Sequence, residues 1–304
     1  MKSIGKNTEG YPTRMSMLSG MPDKLFCIGR LPAEHLPAAA IVGARMCSSY
    51  GHETAYRFGH FLASKGVQVI SGMAIGVDGY AQRGAIEAGG STFAILASGA
   101  DVCYPRENRD LYEKIAETGG ILSEQPPGTK PLPYYFPSRN RIISALADVV
   151  VVVEARERSG SLITVEFALT QGKTVLAVPG RIGEPLSDGC NRLIAEGAGI
   201  AWSAEAVLDE IHRIADTVPL DRSSDREAGK RERTGRSVLE NSGLSMNAKT
   251  LYFQIAENSD LTLFELTERV SLPLPQVYSA VIELQLAGYI KEAARGHYSC
   301  MVLL

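Results

Sequence analysis

The chain has 304 residues, a length that predicts about two domains and excludes a mini-protein or a disulfide scaffold. Its hydrophobic content of 45% and charged content of 21% are typical of globular proteins and exclude wholesale disorder and fibrous repeats. The 31 basic and 34 acidic side chains give a net charge of −3, so a nucleic-acid or phosphate partner must bind at a local basic site.

Cysteine usage and hydropathy indicate a cytoplasmic protein with no membrane partner. The five cysteines are an odd number without a CxxC pair, which argues against a disulfide framework and a zinc ribbon. The longest strongly apolar run, around residues 149–153, is too short to cross a membrane. The first twenty residues lack the continuous apolar segment of a secretory signal, and we leave them without predicted structure.

From residue 38 to about residue 215, short apolar runs alternate with amphipathic segments. Strands are predicted at residues 38–42, 67–71, 92–96, 120–123, 149–154, 174–178 and 199–201, and most are apolar throughout, as strands covered on both faces are. Helices are predicted at residues 53–65, 77–88, 107–118, 139–147, 162–171 and 204–214, where apolar residues recur every three or four positions. This alternation predicts an α/β fold around a parallel sheet.

The rest of the chain differs in composition and in its predicted elements. Residues 221–240 contain six basic, five acidic and only three apolar residues, which predicts a solvated tether. Predicted helices at 248–257, 263–270 and 275–287, followed by strands at 289–291 and 298–302, indicate a winged helix. Acidic residues outnumber basic ones in this module and its third helix has no Lys or Arg, so we favour protein interaction over duplex DNA binding.

Small residues follow three of the predicted strands at their carboxyl ends, where doubly wound sheets bind ligands. They are Gly43-Ala44 before Arg45, Ser71-Gly72 leading to Gly76-Val77-Asp78, and Glu154-Ala155 followed by Ser159 to Thr164. Small residues let the backbone approach a ligand, and free N–H groups at a helix start attract anions. The pattern indicates phosphate or nucleotide contact, with simple tight turns as the alternative.

Phe136, Arg139 and Arg141 lie at the start of the helix before the fifth predicted strand. Two residues of helix separate the arginines by about 200°, so at most one of them can point straight at the strand ends. An arginine fork suits phosphate, and an aromatic ring suits a base. The alternative is a solvated helix start with Phe136 in the core.

Other familiar motifs are missing from the sequence. No GxGxxG follows the first predicted strand, and Gly172-Lys173-Thr174 imitates a Walker A ending but runs from a helix into a strand. The five histidines have no metal-ligand spacing, and the acidic residues have no positioned base or nucleophile beside them. We therefore expect no cofactor, no metal and no catalytic residues.

Taken together, the loops between residues 21 and 202 resemble the DNA-processing protein A (DprA/Smf) family. The matching stretches are Ala40 to Arg45, Ser71 to Asp78, Tyr104-Pro105, Ser123-Glu124, Phe136 to Ile143, Glu154-Ala155, Ser159 to Thr164, Pro179-Gly180 and Gly189 to Ile194. The resemblance implies an extended Rossmann-like domain that binds single-stranded DNA, forms homodimers and contacts the RecA recombinase. The implied function is a non-enzymatic recombination mediator that protects incoming DNA and helps load RecA during natural transformation.

The resemblance also implies roles for individual residues. Phosphate contacts are expected from Arg45, Arg139 and Arg141, and base stacking from Phe136. The small and backbone groups of the pocket are expected from Ser71, Gly72, Ser159, Gly160, Ser161 and Thr164. Family members can carry a C-terminal winged helix after a linker, which supports a domain boundary near residue 216. We predict four segments: an N-terminal extension at 1–37, a Rossmann-like DNA-binding domain at 38–216, a charged linker at 217–245 and a winged-helix-like domain at 246–304.

Two residues depart from the family pattern, and the roles of both side chains stay open. Gln82 stands where many relatives have His, and Glu166 where a small or polar residue is more usual. The alternative function is that of the related phosphoribohydrolases long described as lysine decarboxylases. Those enzymes have a GGxGTxxE loop, and residues 159–166 of this chain are similar to it in outline. That glutamate would fall at Phe167, and one helical position turns a side chain about 100° away, so we rank hydrolysis behind DNA binding.

Overall fold

The computed structural model describes residues 1–6, 8, 10–217, 244–257, 261–270, 272–287, 289–294 and 297–300. The chain divides into two compact units, Met1–Pro219 and Leu220–Leu304, which we call the α/β unit and the C-terminal unit. The tether predicted at residues 221–240 lies outside the described residues. No helix in the described ranges is long and apolar enough to cross a membrane.

One sheet runs through the α/β unit. Its strands are β1 (Lys2–Gly5), β2 (Lys24–Gly29), β3 (Ala38–Val42), β4 (Gln68–Ser71), β5 (Thr92–Ile95), β6 (Gly120–Ser123), β7 (Val149–Val152), β8 (Thr174–Ala177) and β9 (Gly199–Ile200). Their order is β1-β2-β6-β5-β4-β3-β7-β8-β9. The strands from β6 to β9 in this order are parallel, whereas β2 pairs antiparallel with β6 and β1 antiparallel with β2.

This strand order creates a switch point between β3 and β7. The chain starts the parallel sheet at β3, builds outward to β6, and then returns to place β7 on the other side of β3, with Ala39 opposite Val149 and Val42 opposite Val152. Loops leave a switch point in opposite directions, and ligands bind in the crevice between them. The fold therefore places a crevice at the carboxyl ends of β3 and β7.

Helices cover both faces of the sheet. They are α1 (Thr13–Ser16), α2 (Ser49–Ser64), α3 (Val77–Glu87), α4 (Arg109–Thr118), α5 (Tyr135–Leu146), α6 (Gly160–Thr170), α7 (Asp188–Ala195) and α8 (Ala204–Thr217). Because side chains alternate along a strand, Ala38 and Ala40 pack in the core that includes α5 and α6, while Ala39 and Ile41 pack in the core that includes α2, α3 and α8. Apolar residues on both faces explain the unbroken apolar runs.

The α/β fold class and the parallel sheet are confirmed. The strands at 38–42 and 120–123 match their predicted bounds, and the other predicted strands of this unit are present with ends shifted slightly. The helix predicted to begin at residue 139 begins at Tyr135, which places Phe136 inside its first turn. Helix α7 was not predicted.

Residues 1–37, predicted as an extension, are an integral part of the sheet and core. Strand β2 has an alternating burial pattern, as expected for an antiparallel strand near an edge, and Met15 of α1 is fully buried. Arg14 donates to Asp148 at 3.0 Å, and the same carboxylate accepts from the backbone N–H of Ala38 at 2.8 Å. The segment thus braces the starts of β3 and β7.

The C-terminal unit has its own small core. Its helices are Met246–Glu257, Leu263–Val270 and Leu274–Leu286, and its strands β10 (Leu261–Thr262), β11 (Ile290–Ala294) and β12 (His297–Cys300) form an antiparallel sheet in the order β10-β12-β11. Leu251, Leu266, Val277 and Leu284 are buried together. The predicted turn at residues 295–296 lies outside the described residues, and the winged helix stays a prediction.

Candidate nucleic-acid interface

A pocket of about 450 Å³ opens at the switch point, and we call it the strand-end pocket. Its walls come from the loops after β3 and β7 and from the first turns of α5 and α6. Its lining includes Arg45, Asp78, Phe136, Arg139, Arg156, Arg158, Ser159, Gly160, Ser161 and Thr164. The pocket therefore combines four guanidinium groups with one carboxylate.

Arg139 is a buried cation whose hydrogen bonds join two strand ends. One of its terminal nitrogens donates to the carbonyl oxygen of Gly72 at 2.7 Å and also to the carbonyl oxygen of Ile95. The side chain is 6% exposed, and burial lowers its pKa to about 10, partly offset by the nearby charge of Asp78. Arg139 is therefore still charged at neutral pH and ties the ends of β4 and β5 to α5.

Asp78 and Gly72 fit this cation. Burial raises the pKa of Asp78, while the Arg139 charge and hydrogen bonds from backbone N–H groups, including that of Gly72 at 3.1 Å, oppose the rise. A Cβ at residue 72 would clash with the guanidinium group of Arg139 in this position. Only glycine leaves room for the guanidinium there, so Gly72 acts on the pocket through Arg139.

Phe136 forms the centre of an aromatic and cationic cluster. The central guanidinium carbon of Arg45 lies 5.0 Å from the ring centroid, and that of Arg139 lies 6.0 Å from it. The ring of Tyr104 meets Phe136 edge to face, with centroids 5.7 Å apart. Arg45 is exposed, whereas Phe136 is half-buried, so the arginine can leave the ring without disturbing the core.

Glu154 holds together the two loops that form the pocket walls. Its carboxylate accepts from the backbone N–H of Ser48 at 2.8 Å and from the Ser48 hydroxyl at 2.5 Å, at the start of α2. Its carbonyl oxygen accepts from the N–H of Ala44 at 2.7 Å. The loop that carries Arg45 is therefore fixed to the end of β7.

The first turn of α6 presents small polar groups to the pocket. Ser159 is the N-cap residue of this helix, and its hydroxyl oxygen lies 2.8 Å from that of Ser161. Asn140 of α5 donates to the carbonyl oxygen of Gly160 at 3.3 Å, which links the two helix starts. Free N–H groups at such a helix start favour anions.

Arg156 and Arg158 belong to the pocket although the sequence reasoning did not select them. Both are exposed and lie in the loop between β7 and α6. The available signal was their position directly before Ser159, in a loop that the small residues had already marked. Because arginines are common in solvated loops, the position of these two in the sequence does not by itself indicate a binding role.

Three of the predicted site residues do not line the pocket. Ser71 is buried and donates to the carbonyl oxygen of Ile41 at 2.6 Å, and Gly72 lies behind Arg139. Arg141 projects to another side of α5 and pairs with Glu124 at 2.5 Å, as the helical spacing of the two arginines requires. The pocket brings together Arg45, Phe136, Arg139, Ser159, Gly160, Ser161 and Thr164.

The two departures from the family pattern also lie outside the pocket. Gln82 is buried and donates to the Thr92 hydroxyl at 3.2 Å and to the carbonyl oxygen of Phe93 at 3.0 Å, so its amide holds α3 against β5. Glu166 is exposed on α6 and is not part of the pocket lining. Within the described ranges, no group of three or more His, Cys, Asp or Glu could hold a metal ion.

Comparisons with known proteins give a consistent result. Residues 2–212 match the family described as DNA recombination-mediator protein A. The chain is 35% identical to Protein Smf of Escherichia coli over 97% of this chain and 76% of that protein. It is 42% identical to the DNA processing protein DprA of Streptococcus pneumoniae over 66% of this chain and 71% of that protein.

Two solved structures share the fold. The DNA processing protein A structure from Streptococcus pneumoniae superposes with a TM-score of 0.66 at 41% identity and covers 69% of this chain and 74% of that one. The Helicobacter pylori structure, described for the single-stranded DNA binding mode of that protein, gives a TM-score of 0.63 at 29% identity over 69% of this chain and 99% of that one.

Replacing Arg139 tests whether it holds the strand ends together. Arg139→Leu should lower the free energy of unfolding by about 3 to 5 kcal/mol, because Asp78 would stay buried without its counter-charge and two carbonyl groups would lose their donor. Urea unfolding at neutral pH measures the change. Arg158→Ala, at an exposed position of the same pocket, is the control and should stay within about 0.5 kcal/mol of the parent chain. Equal stability of the two variants would contradict this role.

Proposed function

The chain belongs to the DNA recombination-mediator protein A family, and from that premise we propose that it binds single-stranded DNA in the strand-end pocket. The bound strand is protected and passed to the RecA recombinase during natural transformation. The observation that carries the proposal is that four arginines and one half-buried phenylalanine line one pocket at the switch point of the sheet, with two of the arginines beside the ring. A homodimer formed through the α/β unit is part of the proposal.

The charge of the pocket favours a phosphate backbone. Arg45, Arg156 and Arg158 are exposed, and Arg139 adds a buried positive charge behind them. All residues of the pocket lining lie within the described ranges, and Asp78 is the one acidic residue among them. Its negative charge is opposed by the nearby positive charge of Arg139. Planar guanidinium groups can each donate two parallel hydrogen bonds to a phosphate, and the N–H groups at the start of α6 add further donors.

Phe136 explains a preference for a single strand. A base can reach the ring only if it is unstacked and unpaired, which a single strand allows and an intact duplex does not. The guanidinium of Arg45 now occupies the neighbourhood of this ring at 5.0 Å. A base that stacks on Phe136 would displace this exposed side chain, which can then turn to the adjacent phosphate.

The proposed role is not enzymatic. The competing phosphoribohydrolase function needs a carboxylate in the pocket as a general base. Glu166 is exposed and outside the lining, and Asp78 is buried beside Arg139 with its oxygens bonded to backbone N–H groups. Neither carboxylate is free to activate a water molecule beside a bound nucleotide.

The first test compares nucleic-acid forms. Fluorescence anisotropy should show tighter binding of labelled oligo-dT than of a duplex of equal length, because only the single strand can offer bases to Phe136. In parallel, incubation with AMP should release no ribose phosphate above the buffer rate. Equal affinity for both DNA forms would contradict the proposal, as would a hydrolysis rate that disappears in Glu166→Ala.

A second test separates phosphate contacts from stacking. If about four phosphates are neutralised, log affinity should fall against log salt with a slope near −3, or roughly fifty-fold between about 50 and 200 mM. Arg45→Ala should flatten the slope by about 0.7, whereas Phe136→Ala should cost about 1 to 3 kcal/mol and leave the slope unchanged.

The control for the salt series is Arg57→Ala, because Arg57 is an exposed arginine of α2 that pairs with Glu53 and does not line the pocket. Its slope and affinity should match those of the parent chain. An Arg45 variant that is folded and binds normally would show that the strand lies elsewhere.

A fragment ending at Asp216 tests which unit holds the strand. We expect single-strand affinity close to that of the full chain, because the pocket lies entirely in the α/β unit and helix Leu274–Leu286 has no Lys or Arg. Both proteins should accelerate RecA assembly on single-stranded DNA, measured by light scattering. A folded fragment that loses most of its affinity would assign DNA binding to the C-terminal unit.

A further inference from the structure

The strand-end pocket is too small for the strand that it is proposed to hold. A volume of about 450 Å³ accommodates about one nucleotide with its flanking phosphate oxygens. Proteins that hold single strands add aromatic side chains on which successive bases stack. The neighbouring nucleotides must therefore lie beside the pocket, and an exposed tyrosine is present in the loop after β5 (Tyr104) and another near the end of β8 (Tyr50).

Resting on the proposed function, we propose that the strand leaves towards β5 and that Tyr104 stacks on the nucleotide next to the one at Phe136. Tyr104 follows β5 in the loop before α4, and 42% of it is exposed. Its ring contacts Phe136 edge to face, with centroids 5.7 Å apart, so Tyr104 lies outside the pocket lining but directly beside the ring that the pocket contains. Aromatic stacking is tolerant of sequence, as a general single-strand binder requires.

The loop that carries Tyr104 is fixed to the pocket. Asn108 is buried, and its side-chain amide donates to the carbonyl oxygens of Met73 at 3.0 Å and Ala74 at 3.2 Å. Ala74 itself lines the pocket. Within the loop, the Ser98 hydroxyl donates to the carbonyl oxygen of Val102 at 2.8 Å. A ring held in place before binding loses little conformational entropy when a base stacks on it.

The opposite exit offers a similar residue and therefore a matched control. Tyr50 lies in the first turn of α2, is 54% exposed, and its hydroxyl donates to the carbonyl oxygen of Pro179 after β8. Like Tyr104, it does not line the pocket, but unlike Tyr104 it has no ring contact with Phe136 among the described residues. Tyr50→Ala and Tyr104→Ala thus remove comparable exposed rings on the two sides of the pocket.

Anisotropy with long oligo-dT measures the effect. Tyr104→Ala should weaken binding about tenfold or more, Tyr104→Phe should bind like the parent chain, and Tyr50→Ala should also bind like the parent chain. The double variant of Tyr104→Ala with Phe136→Ala should be weaker than either single variant, since two nucleotides would each lose a stacking partner. Urea unfolding of each variant checks that the fold is intact.

Photocrosslinking gives a readout that does not depend on affinity. Oligo-dT carrying one iodouracil base should crosslink the parent chain at Tyr104, identified by mass spectrometry of the crosslinked peptide, and the Tyr104→Phe chain at the same position. A crosslink or a loss of affinity at Tyr50 instead of Tyr104 would overturn the assignment. So would a double variant that binds no more weakly than Phe136→Ala, because Tyr104 would then act only by supporting Phe136.

These outcomes are distinct from failure of the proposed function. If the parent chain does not prefer single-stranded DNA, or if Arg45→Ala binds normally, the pocket itself is not the DNA site. If those tests succeed while Tyr104→Ala binds like the parent chain, the pocket stands and only the path of the strand beyond it is wrong.

Discussion

The buried guanidinium of Arg139 is the constraint on which the site depends. It joins the carbonyl oxygens of Gly72 and Ile95, which follow or end neighbouring strands, and it faces the charge of Asp78. A buried cation is tolerated only when its donors and its charge are matched, so the first turn of α5 has one permitted position. Phe136, three residues earlier, lies on the same helical face and is therefore directed to the pocket.

The parallel part of the sheet could be predicted from the sequence because its strands are buried on both faces. Residues 38–42 and 149–152 are apolar throughout, and such short unbroken runs between helical patterns have few other interpretations. Strand β2 alternates buried and exposed residues over only six positions, and β1 is shorter still. Their place in the sheet depends on the pairing of β2 with β6, which lies far along the chain, and a local pattern cannot reveal that pairing.

The sequence predicted which residues line the pocket only where a local pattern also fixes their position at the carboxyl end of a strand. Arg45 follows the first parallel strand, and Ser159 begins a helix after a strand, so both could be placed at the strand ends in advance. Which arginines line the pocket and which form ion pairs elsewhere could not be predicted, because this depends on partners that are distant in sequence. Glu124 pairs with Arg141 and the carbonyl group of Gly72 pairs with Arg139, and only the packed sheet brings these residues together.

The distribution of ion pairs explains how a net-negative chain can present a basic site. Across the described ranges, acidic partners pair with arginines that lie away from the pocket lining, among them Arg14, Arg83, Arg141 and Arg213. Arg45, Arg156 and Arg158 form no ion pair within those ranges and share one pocket. Because screening limits attraction to about 10 Å at 0.1 M salt, such local excess charge decides phosphate binding more than the net charge does. The net charge of −3 is therefore compatible with a nucleic-acid partner, provided that the partner threads a single phosphate backbone past these few side chains.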